Sequence, residues 1–330
     1  MQTEHVPASR LVTTALIANW RMKEKAQQTI IVALASLAGL TAHASAEVLI
    51  FNGFSDTSLI DLNGVAATTK TSDGVVLRLT PALGGQSGSA FSLAAVDATT
   101  FSTHFIFRIT DPGGTIFDRN TESGADGIVF VVQSVSSSVG GAGQGIGYAG
   151  IPKSAGVEFG TWCNGANNDP SSNHIGIDLL GNVDRGAGAP FAVAVSPRFD
   201  NGELWYAWID YDGTTLRAYL NQSNVQPFQP IITRDMNLPK ILQQSTGFVG
   251  FTSGNGADWR NHDIIYWEYT PYSPVCTGDF DGNGVVNALD LGVLLGGWGS
   301  NLEKFDLNGD SAIDGTDVGA LLGNWGPCSG

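Results

Sequence analysis

The sequence predicts an all-β protein of antiparallel sheets packed face to face, followed by a small α-helical domain built from two repeats. Three observations predict it. From Val48 to Tyr272, short runs of alternating apolar residues recur between glycine-rich turns, with no helical periodicity between them. A proline-punctuated stretch, Thr270-Pro-Tyr-Ser-Pro274, then breaks the pattern. After it, residues 279–290 and 306–317 form an internal repeat offset by 27 residues, each copy running into a short apolar stretch that ends in Trp-Gly.

The strand runs are His104 to Ile109, Gly127 to Val132, Gly156 to Trp162, His174 to Leu179, Phe191 to Val195, Leu204 to Tyr211, Leu216 to Leu220, Gly247 to Thr252 and Ile264 to Tyr269. Many short strands without helical crossovers imply two antiparallel sheets sharing a core. Asp212-Gly213, between two of the runs, reads as a hairpin turn.

A chain of 330 residues fits two folded units and a removable leader. Met22, Lys23 and Lys25 form a basic start, Thr29 to Thr41 an apolar core, and Ala44-Ser45-Ala46 a small-residue cleavage site. Residues 1–46 therefore read as a leader with a secretory signal whose translation start is placed at Met22, and the mature chain starts at Glu47. The alternative, a membrane anchor, needs roughly 20 apolar residues, more than this core supplies. The expected location is secreted, extracellular or at the cell surface.

Removing the leader takes away four basic and two acidic residues, which moves the net charge from −15 to −17. Nucleic acid and anionic membrane surfaces are poor partners for such a chain. Of three cysteines, Cys276 and Cys328 bracket the final segment and read as one clasp, leaving Cys163 unpaired. The expected domains are a sandwich over 47–272, a linker over 273–275 and a small module over 276–330.

The acidity clusters in the tail. Asp279, Asp281, Asn283, Asn287 and Asp290 stand at positions 1, 3, 5, 9 and 12 of the first loop, and Asp306, Asn308, Asp310, Asp314 and Asp317 repeat them in the second. Side chains at alternate positions of a tight loop converge on one point, and a backbone carbonyl at position 7, Val285 or Ala312, adds another oxygen. That is a calcium donor set; the competing reading is a pair of metal-free turns. The module resembles the dockerin family, a two-repeat EF-hand-like fold, which implies calcium on those residues and a cohesin-like protein partner. Ser311 stands where glycine is usual at position 6. Leu291, Leu294, Leu295 and Trp298, and likewise Val318, Leu321, Leu322 and Trp325, fall at helical spacing and predict an apolar face on each helix, buried against its twin.

In the first domain, Glu158 stands in Gly-Val-Glu-Phe-Gly-Thr-Trp-Cys-Asn, followed by Asn168-Asp-Pro-Ser-Ser-Asn-His-Ile-Gly-Ile-Asp178. With Phe51-Asn-Gly-Phe54, Gly145-Ile-Gly-Tyr148 and His262-Asp-Ile-Ile265, these residues resemble the legume-type (L-type) lectins over nearly all of 47–272. The resemblance implies a concanavalin-like jelly roll that binds glycans beside two metals. Glu158, Asp169 and His174 match the Mn2+ ligands, while the Trp162 carbonyl, Asn164 and Asp169 match the Ca2+ ligands. The carboxylate and imidazole set suits a transition ion, and the oxygen set suits calcium. One departure is plain: the family's aspartate that bridges both metals falls on Gly160.

The resemblance also implies the sugar contacts. Asp126 matches an aspartate that follows a cis peptide and accepts from two sugar hydroxyls. Gly147 matches a glycine whose N–H donates to the sugar, Asn164 an amide donor, and Trp162 the aromatic that stacks on the sugar ring. Asp258 and Trp259 fall in the loop that selects the sugar.

Catalysis is not expected. Glycan-cleaving sandwiches carry two carboxylates ~5–10 Å apart, and the next same-face neighbour of Glu158 is Gly160. A nucleophile elbow, a phosphate loop and a zinc-protease motif are also missing from the sequence. The alternative to a lectin is a structural or adhesion protein whose sandwich has lost sugar binding.

Overall fold

The computed structural model describes residues 48–115, 124–138, 145–184, 190–227, 229–272, 277–280 and 285–328. The expected leader, the linker at 273–275, Cys276, Asp281 and Asn283 lie outside them. Strands are numbered in chain order. One sheet runs β14 (Ile232–Asp235), β13 (Thr215–Asn221), β12 (Trp205–Tyr211), β7 (Phe101–Gly113), β16 (Trp259–Thr270), β4 (Gly74–Thr80) and β3 (Ala67–Thr71), with β1 (Leu49–Phe51) pairing on β16. The other runs β11 (Ala192–Ala194), β10 (His174–Leu179), β9 (Ser154–Gly160), β8 (Gly127–Gln133), β15 (Thr246–Gly254), β5 (Ser87–Ser92) and β2 (Ile60–Gly64), with β6 (Val96–Asp97) on β15. This is the all-β antiparallel sandwich of the sequence reading.

The two-residue alternation of β7 turns Phe101, Phe105, Phe107 and Ile109 inward. There they meet Phe130, Phe159, Phe251 and Trp267 from strands of both sheets. Ring pairs such as Phe105–Phe251 (4.9 Å, edge-on) lock the packing, and each fully buried phenylalanine contributes about 1.5–3 kcal/mol.

Strands β8 and β9 are buried along their whole length, on both faces. Their outer face is roofed by a second apolar cluster of Phe91, Val129, Val131, Ile146, Tyr148 and Ile151. Polar side chains beyond that roof are therefore held in a low-dielectric layer rather than in open solvent, which sets the character of the site.

The tail has its own small core. Helix α1 (Leu238–Leu242) belongs to the sandwich, whereas α2 (Ala288–Gly296) and α3 (Gly315–Gly323) follow the two acidic loops. Leu294, Leu321, Val286, Ile313, Phe305 and Leu307 fill the core, with Phe280 against it. Three pairs, Phe280 and Leu307, Val286 and Ile313, Leu294 and Leu321, stand 27 residues apart, so the packing repeats with the sequence.

The expected apolar helix faces need correction. Leu294 and Leu321 are buried and Leu291 and Val318 pack against the core, but Leu295, Trp298, Leu322 and Trp325 remain about half exposed. Each helix ends at Gly296 or Gly323, before its tryptophan, and Leu295 and Leu322 lie on the flank of the stripe. Loop residues fill the space those side chains were expected to take.

Candidate functional site

On β9 the alternation that sends Val157 and Phe159 into the core sends Glu158 and Gly160 to the opposite face. Antiparallel pairing sets Gly160 opposite His174 and Glu158 opposite Gly176 on β10. Asp169, from the loop between the two strands, completes a buried group in which one donor atom each from Glu158, Asp169 and His174 lies within 4.8 Å of the others.

The proton of His174 is fixed by its neighbours. Nδ1 lies 2.9 Å from the Ser171 carbonyl oxygen, which can only accept, so Nδ1 carries the hydrogen. Nε2 then turns a bare lone pair toward Glu158 Oε1 at 3.3 Å and Asp169 Oδ1 at 3.5 Å, and it has no hydrogen-bond partner. Burial holds the imidazole pKa below its ordinary value, keeping it neutral. A lone pair and two carboxylates facing one point in a buried layer fit a divalent cation, and the mixed nitrogen and oxygen set fits a transition ion.

Gly160 is where the bridging aspartate was missed. An atom at its Cβ position would stand 2.5 Å from His174 Cε1 and 2.9 Å from Glu158 Oε1. The imidazole thus occupies the room a side chain would need.

Asp126 begins beside this group. The Ala125–Asp126 peptide is cis, the Asp126 carbonyl accepts from Thr161 N–H at 2.9 Å, and its own N–H donates to Gly254 at 3.0 Å. The side chain is buried, and Oδ2 has no hydrogen-bond partner. Burial, and then the charge of nearby Asp258, push its pKa up to about 7, offset in part by the Gly256 backbone N–H. Thr161 Oγ1 is likewise buried without a partner. A buried polar atom with no partner costs stability unless a ligand completes it.

The remaining expected residues are dispersed around these two. The Asn164 backbone N–H donates to Asp169 Oδ2 at 2.7 Å, which bends the loop back on itself. Trp162 lies just past the end of β9 and is half-buried, rather than on the strand as its run suggested. Gly147 is buried with φ +66°, a conformation that favours glycine. Asp258 is buried against Gly114. The Trp259 ring wedges against Gly113 and Gly84, where an added Cβ would approach it to 2.4 and 3.3 Å.

Sequence reasoning missed Asp178, buried on the same strand as His174 with its pKa raised well above the ordinary value by burial and then by Asp169. Alternation from His174 gave the signal, because residues 174, 176 and 178 share a face. It also missed Thr161, which no motif marks.

In the tail, Asp306 accepts three backbone N–H groups, from Gly309, Asp310 and Ser311. Asp310 accepts from Ala312 N–H, and Asn308 donates to Asp310. The position-12 residues face inward. Asp317 takes Leu307 N–H and Asp314 N–H on its two oxygens, and Asp290 takes Phe280 N–H and Asn287 N–H. Asn287 and Asp314 cap their helices through Leu289 N–H and Thr316 N–H.

Two eight-stranded antiparallel sheets with a buried carboxylate and imidazole group beside a cis-linked aspartate define a lectin sandwich. The legume lectin domain model matches residues 46–277, and the chain belongs to that family. Among curated proteins it resembles the L-type lectin-domain containing receptor kinase I.3 of Arabidopsis thaliana, 30% identical over 241 residues that cover 67% of this chain and 35% of the relative. Receptor kinase VIII.1 of the same plant is 29% identical over 221 residues, 63% of this chain and 28% of the relative. The chain thus spans about a third of the length of the curated relatives it matches.

Among solved structures, a lectin from Bauhinia forficata in complex with GalNAc superposes with a TM-score of 0.56 at 20% identity, covering 69% of this chain and 99% of that one. Basic winged bean lectin with Tn-antigen gives 0.55 at 24%, with the same coverage. These likenesses establish the fold. Among the described residues no helix is long and apolar enough to cross a membrane.

Proposed function

We propose that this chain is a secreted, non-catalytic lectin that binds glycans at Asp126, Gly147, Trp162 and Asn164, with Asp258 and Trp259 selecting the sugar. The observation that carries the reading is Asp126 Oδ2, a buried acceptor without a partner at the position where the family accepts sugar hydroxyls. Glu158, Asp169 and His174 hold Mn2+ in this reading, and the Trp162 carbonyl, Asn164 and Asp169 hold Ca2+. A divalent ion there supplies the positive charge that the buried carboxylates lack and fixes the loop that carries Trp162 and Asn164.

The tail is proposed as a dockerin-like calcium module. Support comes from the 27-residue repeat of both its donors and its core and from the tight winding of the second loop around Asp306. Cys276 and Cys328, which bracket the module in the sequence, are proposed to clasp its ends. A cohesin-like protein is its proposed partner.

The experiment is a glycan array probed with the full chain in calcium and manganese, and again in chelator, beside Asp126→Ala. Binding lost in Asp126→Ala supports the reading. No glycan bound at any calcium concentration, with Asp126→Ala indistinguishable from the parent, defeats it. One observation favours the second reading, an adhesion protein that no longer binds sugar: the imidazole standing in the room of the bridging carboxylate at Gly160.

A further inference from the structure

Apart from Gly147, the candidate sugar contacts lie on three separate segments, around residues 124–126, 160–164 and 254–260. In a site lacking the carboxylate that would bridge two metals at Gly160, something else has to hold those segments in register.

A second buried charge cluster touches all three. Asp200 is gripped by Arg198 through two parallel hydrogen bonds of 2.8 Å each, and Arg260 Nη2 meets it at 2.9 Å. Arg260 Nη1 also donates to the Asp200 carbonyl at 3.3 Å. From this knot Arg198 reaches out to the Thr161 carbonyl at 3.3 Å and to Ser172 Oγ at 3.2 Å. Thr161 in turn holds Asp126 through its backbone N–H.

Arg260 closes the triangle. It follows Asp258 and Trp259 at the start of β16, and its side chain lies on Gly124, where an added Cβ would stand 2.3 Å from Nε. Gly124 is two residues before Asp126. The segment that carries Arg198 and Asp200 is itself latched to the metal-site loop by Asn173, neighbour of His174. Asn173 donates to the Val195 and Pro197 carbonyls and accepts from Phe199 N–H at 2.9 Å.

We propose that Arg198 and Arg260, clamped on Asp200, are positioning residues that hold the three sugar-contact segments together, taking over the bracing that a carboxylate at position 160 would give. The proposal rests on the carbohydrate-binding reading for its purpose, but not for its mechanics. Planar guanidinium groups on one carboxylate fix direction as well as distance.

The test uses the full chain, with Arg260→Met, which keeps length and loses charge, and Arg260→Lys, which keeps the charge on Asp200. Hydrogen exchange is followed in chelator at 124–127, 161–164 and 254–260, against β12 and β13 as reference. Affinity is measured for immobilised glycoproteins ending in galactose or in mannose. The expected result for Arg260→Met is faster exchange in the three segments only, with affinity weakened on the order of 10- to 100-fold, as for other supporting groups around a site, and partial recovery in Arg260→Lys.

The proposal is overturned if Arg260→Met exchanges like the parent in those segments, or if exchange rises equally in β12 and β13. Should Arg260→Met not fold, Asp200→Asn and Arg260→Lys carry the same comparison. A parent that binds neither glycoprotein nor any array glycan defeats the carbohydrate reading, while the exchange contrast still decides the bracing.

Discussion

His174 and Gly160 face each other across β10 and β9, and the imidazole stands where a Cβ on residue 160 would project, 2.7 Å from Nε2. Ring and side chain exclude one another in this arrangement. Gly160→Ala is therefore expected to destabilise the metal-free sandwich by about 1–3 kcal/mol through overpacking, read as a lower midpoint in denaturant. Gly160→Asp should recover much of that loss when Mn2+ and Ca2+ are added, because the ring can then move aside onto a shared ion; no recovery would argue against a metal at this centre.

Removing the imidazole tests the same centre from the other side. His174→Ala, in a background where Asp279→Ala and Asp306→Ala silence the tail, should cut Mn2+ affinity by at least about tenfold. Metal content after dialysis checks it.

The pH behaviour of the chelated protein follows from Asp126. Its pKa is raised from 3.8 to about 7 in the fold, so between about pH 4 and pH 7 the unfolded chain has released a proton that the folded chain still holds. Stability from this group is therefore lost as pH rises through that window and is level above it. The ceiling is about 4 kcal/mol. Asp126→Asn should flatten this fall: the two proteins match near pH 4, and the variant is the more stable at pH 8. Equal melting curves at both pH values would contradict the assignment.

In the tail, Ser311 carries φ +68° at loop position 6. Left-handed backbone costs an ordinary residue roughly 1–2 kcal/mol, so Ser311→Gly should stabilise the module by about 1 kcal/mol. Asp317→Ala should do the reverse by about 1–3 kcal/mol, since it strips acceptors from two backbone N–H groups. Thermal melts of the full chain, followed through tryptophan fluorescence of Trp298 and Trp325, distinguish the two.

Where the sequence alternated strictly, its reading was sound. His174 to Leu179 is β10 to the residue, β7, β8, β13, β15 and β16 each enclose their runs, and β12 begins one residue inside its run. Strands such as β3, Ala-Thr-Thr-Lys-Thr at the edge of its sheet, escaped because an exposed edge carries no apolar signature. The gathering of Glu158, Asp169 and His174 was legible through the resemblance to legume-type lectins, and the hairpin that carries them brings the three together. Arg198, Asp200 and Arg260 were not, since ion pairs between distant parts of the chain leave no periodicity. Trp298 and Trp325 were misplaced because spacing alone does not say where a helix stops.

The last strand of the sandwich, β16, is an inner one, lying between β7 and β4, and Thr103 on β7 bonds to Glu268 across 165 positions of sequence. A chain emerging from the ribosome must present Phe105, Phe107 and Trp267 together before either sheet can close, so folding waits for synthesis to pass Thr270. Until then the unclosed middle of that sheet offers the nascent chain's exposed edges to chaperones and to other nascent chains.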